Sequence, residues 1–409
     1  MLKSINAEKD SESSIDQQKV LELYQASAVK AGDWMVNNQV RKPFDANYGR
    51  LLYARLVKGG WDAYSTNWTT GFGAIALLSL YDLTKDEKYL ESAEYAIRYI
   101  KSLQCLDSRK PCSFGAIVEE TPQSEWIHPR DGLSAAWALL CYGRYMSDAQ
   151  CIERAVLYAD WILKNAYRRN WILATVALGP SGRDTDITQA SCQGGAILFF
   201  LDLYRETQNF HYLDAAHSMS DYYVEKFISP DGEITILYDD LTGRRYEDEA
   251  SLKKFSYDWR EMHKINDDFS GISLIESFQQ FGVSTYRDRL KAYAKWIFKK
   301  QNADGGFMKP ELEVGSATAV IFLTKYLEIA EPEEVAQIED TIARSLHHLM
   351  SLQQVSDDKG VNGAFLGMNS ACTYGNGEWI NLRVSAYGVF ALLMQSGHSL
   401  FPLRKPSLE

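Results

Sequence analysis

The stretch Gly132-Leu-Ser-Ala-Ala-Trp-Ala-Leu-Leu140 is apolar on nearly every side and begins with small residues. A helix of this composition is stable only when it is buried all round, and its small residues let neighbouring helices approach closely. Five further stretches share these properties, and they lie at 70–80, 191–201, 268–275, 315–323 and 383–393. The sequence therefore predicts six buried helices.

A second motif lies between the buried stretches. It is an aromatic residue or a histidine followed by a short helical tail that usually closes on glutamine, as in Trp34-Met-Val-Asn-Asn-Gln39. The other copies begin at Tyr99, Trp161, Tyr223, Trp296 and His348. Their spacing of roughly 60 residues fits two helices with their loops, and it exceeds the unit of about 34 residues in tetratricopeptide or ankyrin repeats.

The second helix of each unit carries apolar residues on one face only. In the first unit this face consists of Leu90, Ala93, Ile97 and Ile100, which is the spacing of an amphipathic helix. Because one-sided helices belong on the outside of a fold, the pattern predicts six outer helices around six buried ones. The predicted fold class is all-α, an (α/α)6 barrel.

The first predicted helix, from Gln17 to Gln39, has no partner before it in the sequence. We expect it to close the ring against the last buried helix, near 383–395. A length of 409 residues would by itself suggest two or three domains, but one closed ring is one domain. We therefore expect a flexible N-terminal leader at 1–16 and a single barrel domain at 17–409.

The composition excludes several classes of protein. With 46% apolar and 24% charged residues the chain is globular, and a net charge of −11 argues against a nucleic-acid partner. Neither a membrane helix of roughly 18 apolar residues nor the apolar segment of a secretory signal is present. The six cysteines form no metal-binding spacing, so we expect reduced thiols, a cytoplasmic location, no metal and no cofactor.

Polar and aromatic residues collect where the chain leads into the buried helices. They are Trp61, Asp62, Trp68, Trp126, His128, Arg130, Asp131, Arg183, Asp186, Gln189, Asp267, Asp268, Trp379 and Arg383. In a ring these positions share one end, where the helix N-termini add partial positive charge. Aromatic rings that can stack on a pyranose, together with charged groups for its hydroxyls, predict a sugar site there.

Each of these residues also has a structural interpretation. An Asp just before a helix is commonly its N-cap, which applies to Asp131, Asp186 and Asp268. His128 beside Pro129 fits a loop histidine that is bonded to the backbone. Capping does not explain why carboxylates, Trp, His and Arg coincide at one end of the ring.

Several motifs resemble those of the unsaturated glucuronyl hydrolases, which are six-hairpin glycosidases. The run Arg130-Asp131-Gly-Leu-Ser-Ala-Ala-Trp137 resembles the family's inner helix that opens on a catalytic Asp. The stretches 203–213, 227–233, 238–243 and 266–271 then follow the family's helix, its two turns and its paired-acid loop in order. The resemblance implies a six-hairpin fold and a catalytic role for Asp131.

The chain departs from that family at two places. The family's second catalytic Asp would fall near Ser191-Cys192, where no carboxylate is present, and Asp184 and Asp186 lie earlier in the loop. The family's Trp-Ser-Arg-Gly-Gln run is replaced by Phe269-Ser-Gly-Ile.

The leading hypothesis is a glycoside hydrolase acting on short oligosaccharides with a terminal uronic acid, saturated or 4,5-unsaturated. Asp131 and Asp186 would share the acid and base roles, with Asp268 beside Asp267 in reserve and His128 as a further candidate. Arg130, Arg183 and Arg383 would hold the substrate carboxylate, because guanidinium groups bind carboxylates in a bidentate manner. The remaining residues of the set above, led by Trp61, Trp126 and Trp379, would contact the sugar.

Two alternatives stay open at this point. One is a sugar epimerase or a polysaccharide lyase on the same fold, with its base supplied by His128, His263 or Tyr257. The other is a non-catalytic α-toroid that binds a partner. The sequence does not decide the oligomeric state.

Overall fold

The computed structural model describes residues 2–62, 67–119, 126–178, 187–247, 264–266, 269–307, 315–367 and 378–398. Within these ranges the twelve α-helices alternate between an inner and an outer layer. The inner helices are α2 (Asn67–Thr84), α4 (Pro129–Met146), α6 (Ala190–Thr207), α8 (Ser270–Phe281), α10 (Gly315–Tyr326) and α12 (Leu382–Gln395). The outer helices are α1 (Leu2–Asn37), α3 (Glu87–Ser102), α5 (Ala149–Trp161), α7 (Phe210–Lys226), α9 (Ser284–Lys300) and α11 (Pro332–Ser351).

The inner helices form a closed ring. Each packs against the next in chain order, and α12 returns to pack against α2. Five outer helices pack on the inner helix that is their neighbour in sequence, while α1 packs on α12 and so completes a sixth hairpin. The (α/α)6 barrel predicted from the sequence is confirmed, as is the closing role of the first helix. That helix begins at Leu2, so its backbone is helical through the residues that we assigned to a flexible leader.

Small residues allow the inner helices to pack closely, as expected. A Cβ placed on Gly71 of α2 would lie 2.6 Å from the backbone oxygen of Ser134 in α4. At Gly194 of α6 an added Cβ would overlap Ser270, the first residue of α8. The backbones approach within a distance that only glycine permits at these two contacts.

An aromatic cluster fills the middle of the ring. Phe269, which precedes α8, contacts Phe72 of α2 at 5.5 Å between ring centroids and Trp137 of α4 at 5.9 Å. It also contacts Tyr387 and Phe390 of α12, at 5.5 and 6.1 Å. One side chain therefore touches three other inner helices, and the cluster makes the centre of the barrel a packed core.

The outer helices are joined by a repeated hydrogen-bond pattern at the glutamines that close the sequence motif. Each glutamine Nε2 donates to a glycine carbonyl in the turn that follows and to a backbone carbonyl of the next outer helix. The acceptors are Gly49 and Ser92 for Gln39, Gly115 and Arg154 for Gln104, Gly305 and Thr341 for Gln301, and Gly363 and Ser27 for Gln353. The last of these ties the turn after α11 to α1, at the point where the ring closes.

The same turns require glycine. Gly305 has a φ of +90°, and an added Cβ would overlap the backbone oxygen of Arg344 in α11. The corresponding glycines 49, 115, 232 and 363 also have positive φ and lie equally close to the backbone of the next outer helix. We call this pairing of a turn glycine with the neighbouring helix the glycine contact.

Short antiparallel strands stand where the chain leads into the inner helices. They pair as β10 (Trp379–Asn381) with β1 (Ala54–Leu56) and β2 (Trp61–Asp62), β3 (Trp126–Ile127) with β6 (Val176–Ala177), β4 (Tyr167–Arg168) with β5 (Trp171–Ile172), and β7 (Ile187–Gln189) with β8 (Leu237–Asp239) and β9 (Arg244–Tyr246). Because β3, β7 and β10 run directly into α4, α6 and α12, they surround the end of the barrel where the inner helices begin. We call this end the mouth.

At the end of the barrel opposite the mouth, buried ion pairs join the C-terminal halves of neighbouring inner helices. Arg144 of α4 binds Asp202 at 3.0 Å and Glu206 at 2.9 Å, both in α6. Glu276 of α8 contacts Arg205 of α6 and lies 2.9 Å from Lys325 Nζ of α10. Burial raises the pKa of Glu276, but the two cations outweigh it and hold that pKa below its ordinary value. Cations also suit the C-terminal ends of helices.

No helix in the described parts of the chain is long and apolar enough to cross a membrane.

The glycine contact predicts a large loss of stability in Gly305→Ala. The substitution places a side chain in the left-handed region and against the backbone of α11, so we expect the free energy of unfolding to fall by about 2 to 4 kcal/mol. Gly282→Ala is the matched control, because Gly282 has a φ of +69° but no atom lies within 4 Å of an added Cβ. It should cost about 1 kcal/mol. Equal losses in urea titrations of the two variants would contradict the glycine contact.

Candidate active site

Trp68 lies at the start of α2 and contacts two arginines that belong to other inner helices. The guanidinium carbon of Arg130, in α4, lies 4.8 Å from the Trp68 ring centroid, and that of Arg383, in α12, lies 5.5 Å from it. Tyr53 meets the same indole edge-on, with ring centroids 6.2 Å apart. Three residues predicted from separate parts of the sequence therefore meet at the mouth.

Arg383 is only 2% exposed. Burial lowers the pKa of its guanidinium, and the charge of Arg130 lowers it further, whereas Tyr387 and Tyr53 act in the opposite direction. Two guanidinium groups thus lie against one indole ring, close enough for each to feel the charge of the other. Guanidinium groups bind carboxylates well, because their N–H groups match the two oxygens.

Asp131 lies beside this pair in the first turn of α4. Its side chain is buried, and its Oδ1 is 3.5 Å from Nη1 of Arg130. The N-cap of α4 is His128, which makes no capping bond with its side chain, so Asp131 is the third residue of the helix and not its cap. A carboxylate at this position is stabilised by the helix dipole and by Arg130.

Tyr158 of α5 supports the start of α4 from the outer layer. Its hydroxyl donates to the carbonyl oxygen of Pro129 at 2.8 Å, and Gly132 leaves room for its ring. Complete burial raises the pKa of Tyr158, and the negative charges of Glu119 and Asp131 raise it further. Tyr158 is therefore a neutral hydrogen-bond donor beneath Asp131.

His128 is bonded to the loop that precedes β7. Its Nδ1 lies 2.9 Å from the carbonyl oxygen of Ala174 and 3.4 Å from Oγ1 of Thr175. Because a carbonyl only accepts, Nδ1 carries a proton and donates it to the Ala174 oxygen. Trp126 packs edge-on against the imidazole at 4.9 Å and is 42% exposed. The backbone-bonded interpretation of His128 agrees with this geometry, and a catalytic role stays a prediction.

The remaining candidates that the structure describes are placed differently. Trp61 stacks on Trp34 at 6.1 Å and lies near Arg55, so its described contacts do not join it to Trp68. Trp379 is buried in β10, opposite Leu56. Gln189 ends β7, is buried, and accepts a hydrogen bond from Ser191.

Several predicted site residues lie outside the described residues. These are Arg183, Asp186, Asp267 and Asp268, together with Tyr257 and His263 from the alternative hypotheses. The backbone of Asp62 is described, in β2, but its side chain is not. The predicted second carboxylate therefore stays a prediction. Within the described ranges, no group of three or more His, Cys, Asp and Glu side chains could hold a metal ion.

The structure adds Glu119 and Tyr158, which sequence reasoning missed. Glu119 is 5% exposed, and its Oε1 accepts the His128 N–H at 2.7 Å. The available signal was an acidic residue directly after the apolar run Ala116-Ile-Val118. That signal is weak. Burial is predicted from the periodic spacing of apolar residues, and a loop has no such period.

No profile of a known protein family matches the chain, and no curated protein matches it in sequence. Solved structures do match over nearly the whole length. The unsaturated glucuronyl hydrolase of Bacillus sp. GL1 is 16% identical with a TM-score of 0.67, and the match covers 90% of this chain and 96% of that chain. The GH76A α-1,6-mannanase of Salegentibacter sp. HEL1_6 is 16% identical with a TM-score of 0.64, and the match covers 91% and 98%.

The unsaturated glucuronyl hydrolase of Streptococcus agalactiae is also similar, at 15% identity, a TM-score of 0.65 and 93% coverage of both chains. The fold of this chain is therefore that of the six-hairpin glycosidases, and its predicted likeness to unsaturated glucuronyl hydrolase structures is confirmed at the level of the fold. At this identity the roles of individual residues must be argued from this chain's own contacts.

Proposed function

We propose that the protein is a glycoside hydrolase that acts on short oligosaccharides with a terminal uronic acid. The observation that carries the proposal is the placement of Arg130 and Arg383 against Trp68, beside Asp131, at the mouth of the barrel. The fold supports a glycosidase, because the similar structures include hydrolases of unsaturated glucuronides and of α-1,6-mannans. The arginines favour an acidic sugar over a neutral one.

Asp131 is one of the two candidate catalytic carboxyl groups in this proposal. Most glycosidases need two carboxyl groups, one that protonates the departing oxygen and one that acts as base or nucleophile. Asp186 and Asp268 remain the candidates for the second group. With a 4,5-unsaturated uronate, one Asp would instead protonate the ring double bond and activate the water that adds to it, so the labels retaining and inverting would not apply.

The two arginines would bind the carboxylate of the substrate. A carboxylate between them relieves the repulsion of the two cations and forms charge-assisted hydrogen bonds, which are about twice as strong as neutral ones. The indole of Trp68 keeps the guanidinium groups in place by cation–π contact. Trp126, which is partly exposed beside His128, offers a face on which a neighbouring sugar ring can stack.

The first test of the proposal is Asp131→Asn. Loss of the ionisable group should lower kcat by at least about 10²-fold on a panel of saturated and unsaturated uronic-acid oligosaccharides, with the melting temperature preserved. Asp86→Asn is the control, because Asp86 caps the outer helix α3 through the N–H of Lys88, and its activity should equal that of the wild type. Near-full turnover by Asp131→Asn would contradict the assignment.

Arg383→Met tests the preference for an acidic sugar. Removal of one charged partner should raise KM for uronic-acid oligosaccharides by about 10-fold or more, as expected for hydrogen bonds to a charged group, and should leave activity on α-1,6-mannotetraose unaltered if the wild type shows any. Arg383→Lys should not restore KM, since an ammonium lacks the planar fork.

Arg55→Met is the matched control for Arg383→Met. Arg55 also lies over a tryptophan, Trp61, at 5.9 Å, and pairs with Asp358, but it has no described contact with Asp131. Its removal should not change KM. An acidic-to-neutral preference that stays the same in Arg383→Met would remove the arginine pair from the proposal.

Product analysis separates the proposal from the other chemistries of this fold. New reducing ends without a new double bond indicate hydrolysis. A rise in ultraviolet absorbance indicates elimination by a lyase, and inverted stereochemistry without chain cleavage indicates an epimerase. Either of the last two results would overturn the proposed reaction.

A further inference from the structure

A chain of hydrogen bonds links the segments that lead into α2, α4 and α6. The side chain of Asn67, at the start of α2, donates to the carbonyl of Val118 at 2.9 Å, and its backbone N–H donates to the carbonyl of Glu119 at 3.2 Å. The Glu119 carboxylate accepts the N–H of His128. The His128 ring donates to Ala174, whose own N–H donates to Ile187 of β7. Glu119 supplies the one carboxyl group in this sequence of bonds.

The carboxyl group of Glu119 binds the protein backbone. At 5% exposure it has lost most of its contact with water, a loss that is costly unless hydrogen bonds replace the water. The bond of 2.7 Å to the His128 N–H is of the charge-assisted kind. The carboxylate is therefore tied to the backbone that introduces α4.

The first turn of α4 is held from outside the helix. Its N-cap residue, His128, makes no capping bond with its side chain. Instead Glu119 binds the His128 N–H, Ala174 accepts from the His128 ring, and Tyr158 donates to the Pro129 carbonyl. Asp131 follows two residues after Pro129, so these contacts hold the stretch of backbone from which its carboxyl group projects.

We propose that Glu119 is a positioning residue that places the candidate catalytic residue Asp131 by holding the backbone N–H of His128. The proposal rests on the proposed function, because it takes Asp131 as the group that transfers a proton. A misplacement of a catalytic group by about 1 Å can cost on the order of 10²-fold in rate. The loss should fall on kcat, since Glu119 acts on Asp131 through the backbone of His128.

Two variants of Glu119 test this role. Glu119→Ala removes the acceptor and should lower kcat by about 10- to 100-fold, with KM changed by less than about 2-fold. Glu119→Gln keeps an acceptor oxygen of the same shape and should recover most of kcat. A residue with a merely structural role would not separate kcat from KM in this way.

Glu334→Ala is the matched control. Glu334 is also a buried glutamate that accepts a backbone N–H at a helix start, that of Glu331 at 3.1 Å, but it belongs to the outer helix α11. We expect a comparable fall in melting temperature with kcat unchanged. If Glu119→Ala lowers kcat no more than Glu334→Ala does, the positioning role is overturned.

Amide hydrogen exchange gives a second measurement that does not depend on activity. The exchange of the His128 amide should quicken by at least about 10-fold in Glu119→Ala and much less in Glu119→Gln, because only the former loses the acceptor. Unchanged exchange in Glu119→Ala overturns the positioning role. If Asp131→Asn remains active while His128 exchange rises as expected, the proposed function fails and Glu119 is shown to order the start of α4, but not for catalysis by Asp131.

Discussion

The barrel depends on the contact between each turn glycine and the next outer helix. At Gly49, Gly115, Gly305 and Gly363 the turn lies so close to the neighbouring backbone that no side chain fits. The glutamine before each turn also donates to a backbone carbonyl of that neighbouring helix. These contacts determine how closely the turn approaches the next outer helix. At closure, Gln353 and Gly363 bind α1, which couples the two ends of the chain. The inner helices are then confined to a closed ring around Phe269.

The turn after α5 lacks this pair of glutamine and glycine, and it lies next to the candidate site. Its copy of the motif ends on Ala166 in a π-helical turn, followed by the β4–β5 hairpin. In this unit a glutamine of the inner helix α6 bonds to the backbone instead. Gln193 donates to the carbonyl of Ile172 at 3.0 Å and accepts its N–H at 3.2 Å. Two residues further along the chain, the carbonyl of Ala174 accepts a hydrogen bond from the His128 ring. A break in the repeat thus provides the acceptor that orients the start of α4. Pi-helical turns are frequent near functional sites for a similar reason, because they release the backbone from a regular pattern.

The sequence was sufficient for the fold and for only part of the site. Periodicity and the repeated motif identified both helix layers, because the spacing of apolar residues along a helix indicates which of its faces are buried. Arg130, Asp131 and Arg383 could be predicted since they begin helices whose N-termini must share one end of a ring. Glu119 and Tyr158 could not be predicted, because their contact with α4 depends on a loop path and on packing between layers. Trp61 shows the same limit: it stacks on Trp34 of α1, a contact between two segments that no local pattern specifies.

The two ends of the barrel differ in how their charged side chains are arranged. At the far end, cations at helix C-termini meet carboxylates directly, as Arg144 meets Asp202 and Lys325 meets Glu276. At the mouth, Arg130 and Arg383 converge on one indole with Asp131 beside them, where six helix N-termini already add partial positive charge. A protein with a net charge of −11 thus sets two guanidinium groups against one indole at this end of the barrel. Because guanidinium groups bind carboxylates in a bidentate manner and helix N-termini favour anions, selection for an acidic sugar on the proposed function would arise from the direction of the inner helices as well as from the two arginines.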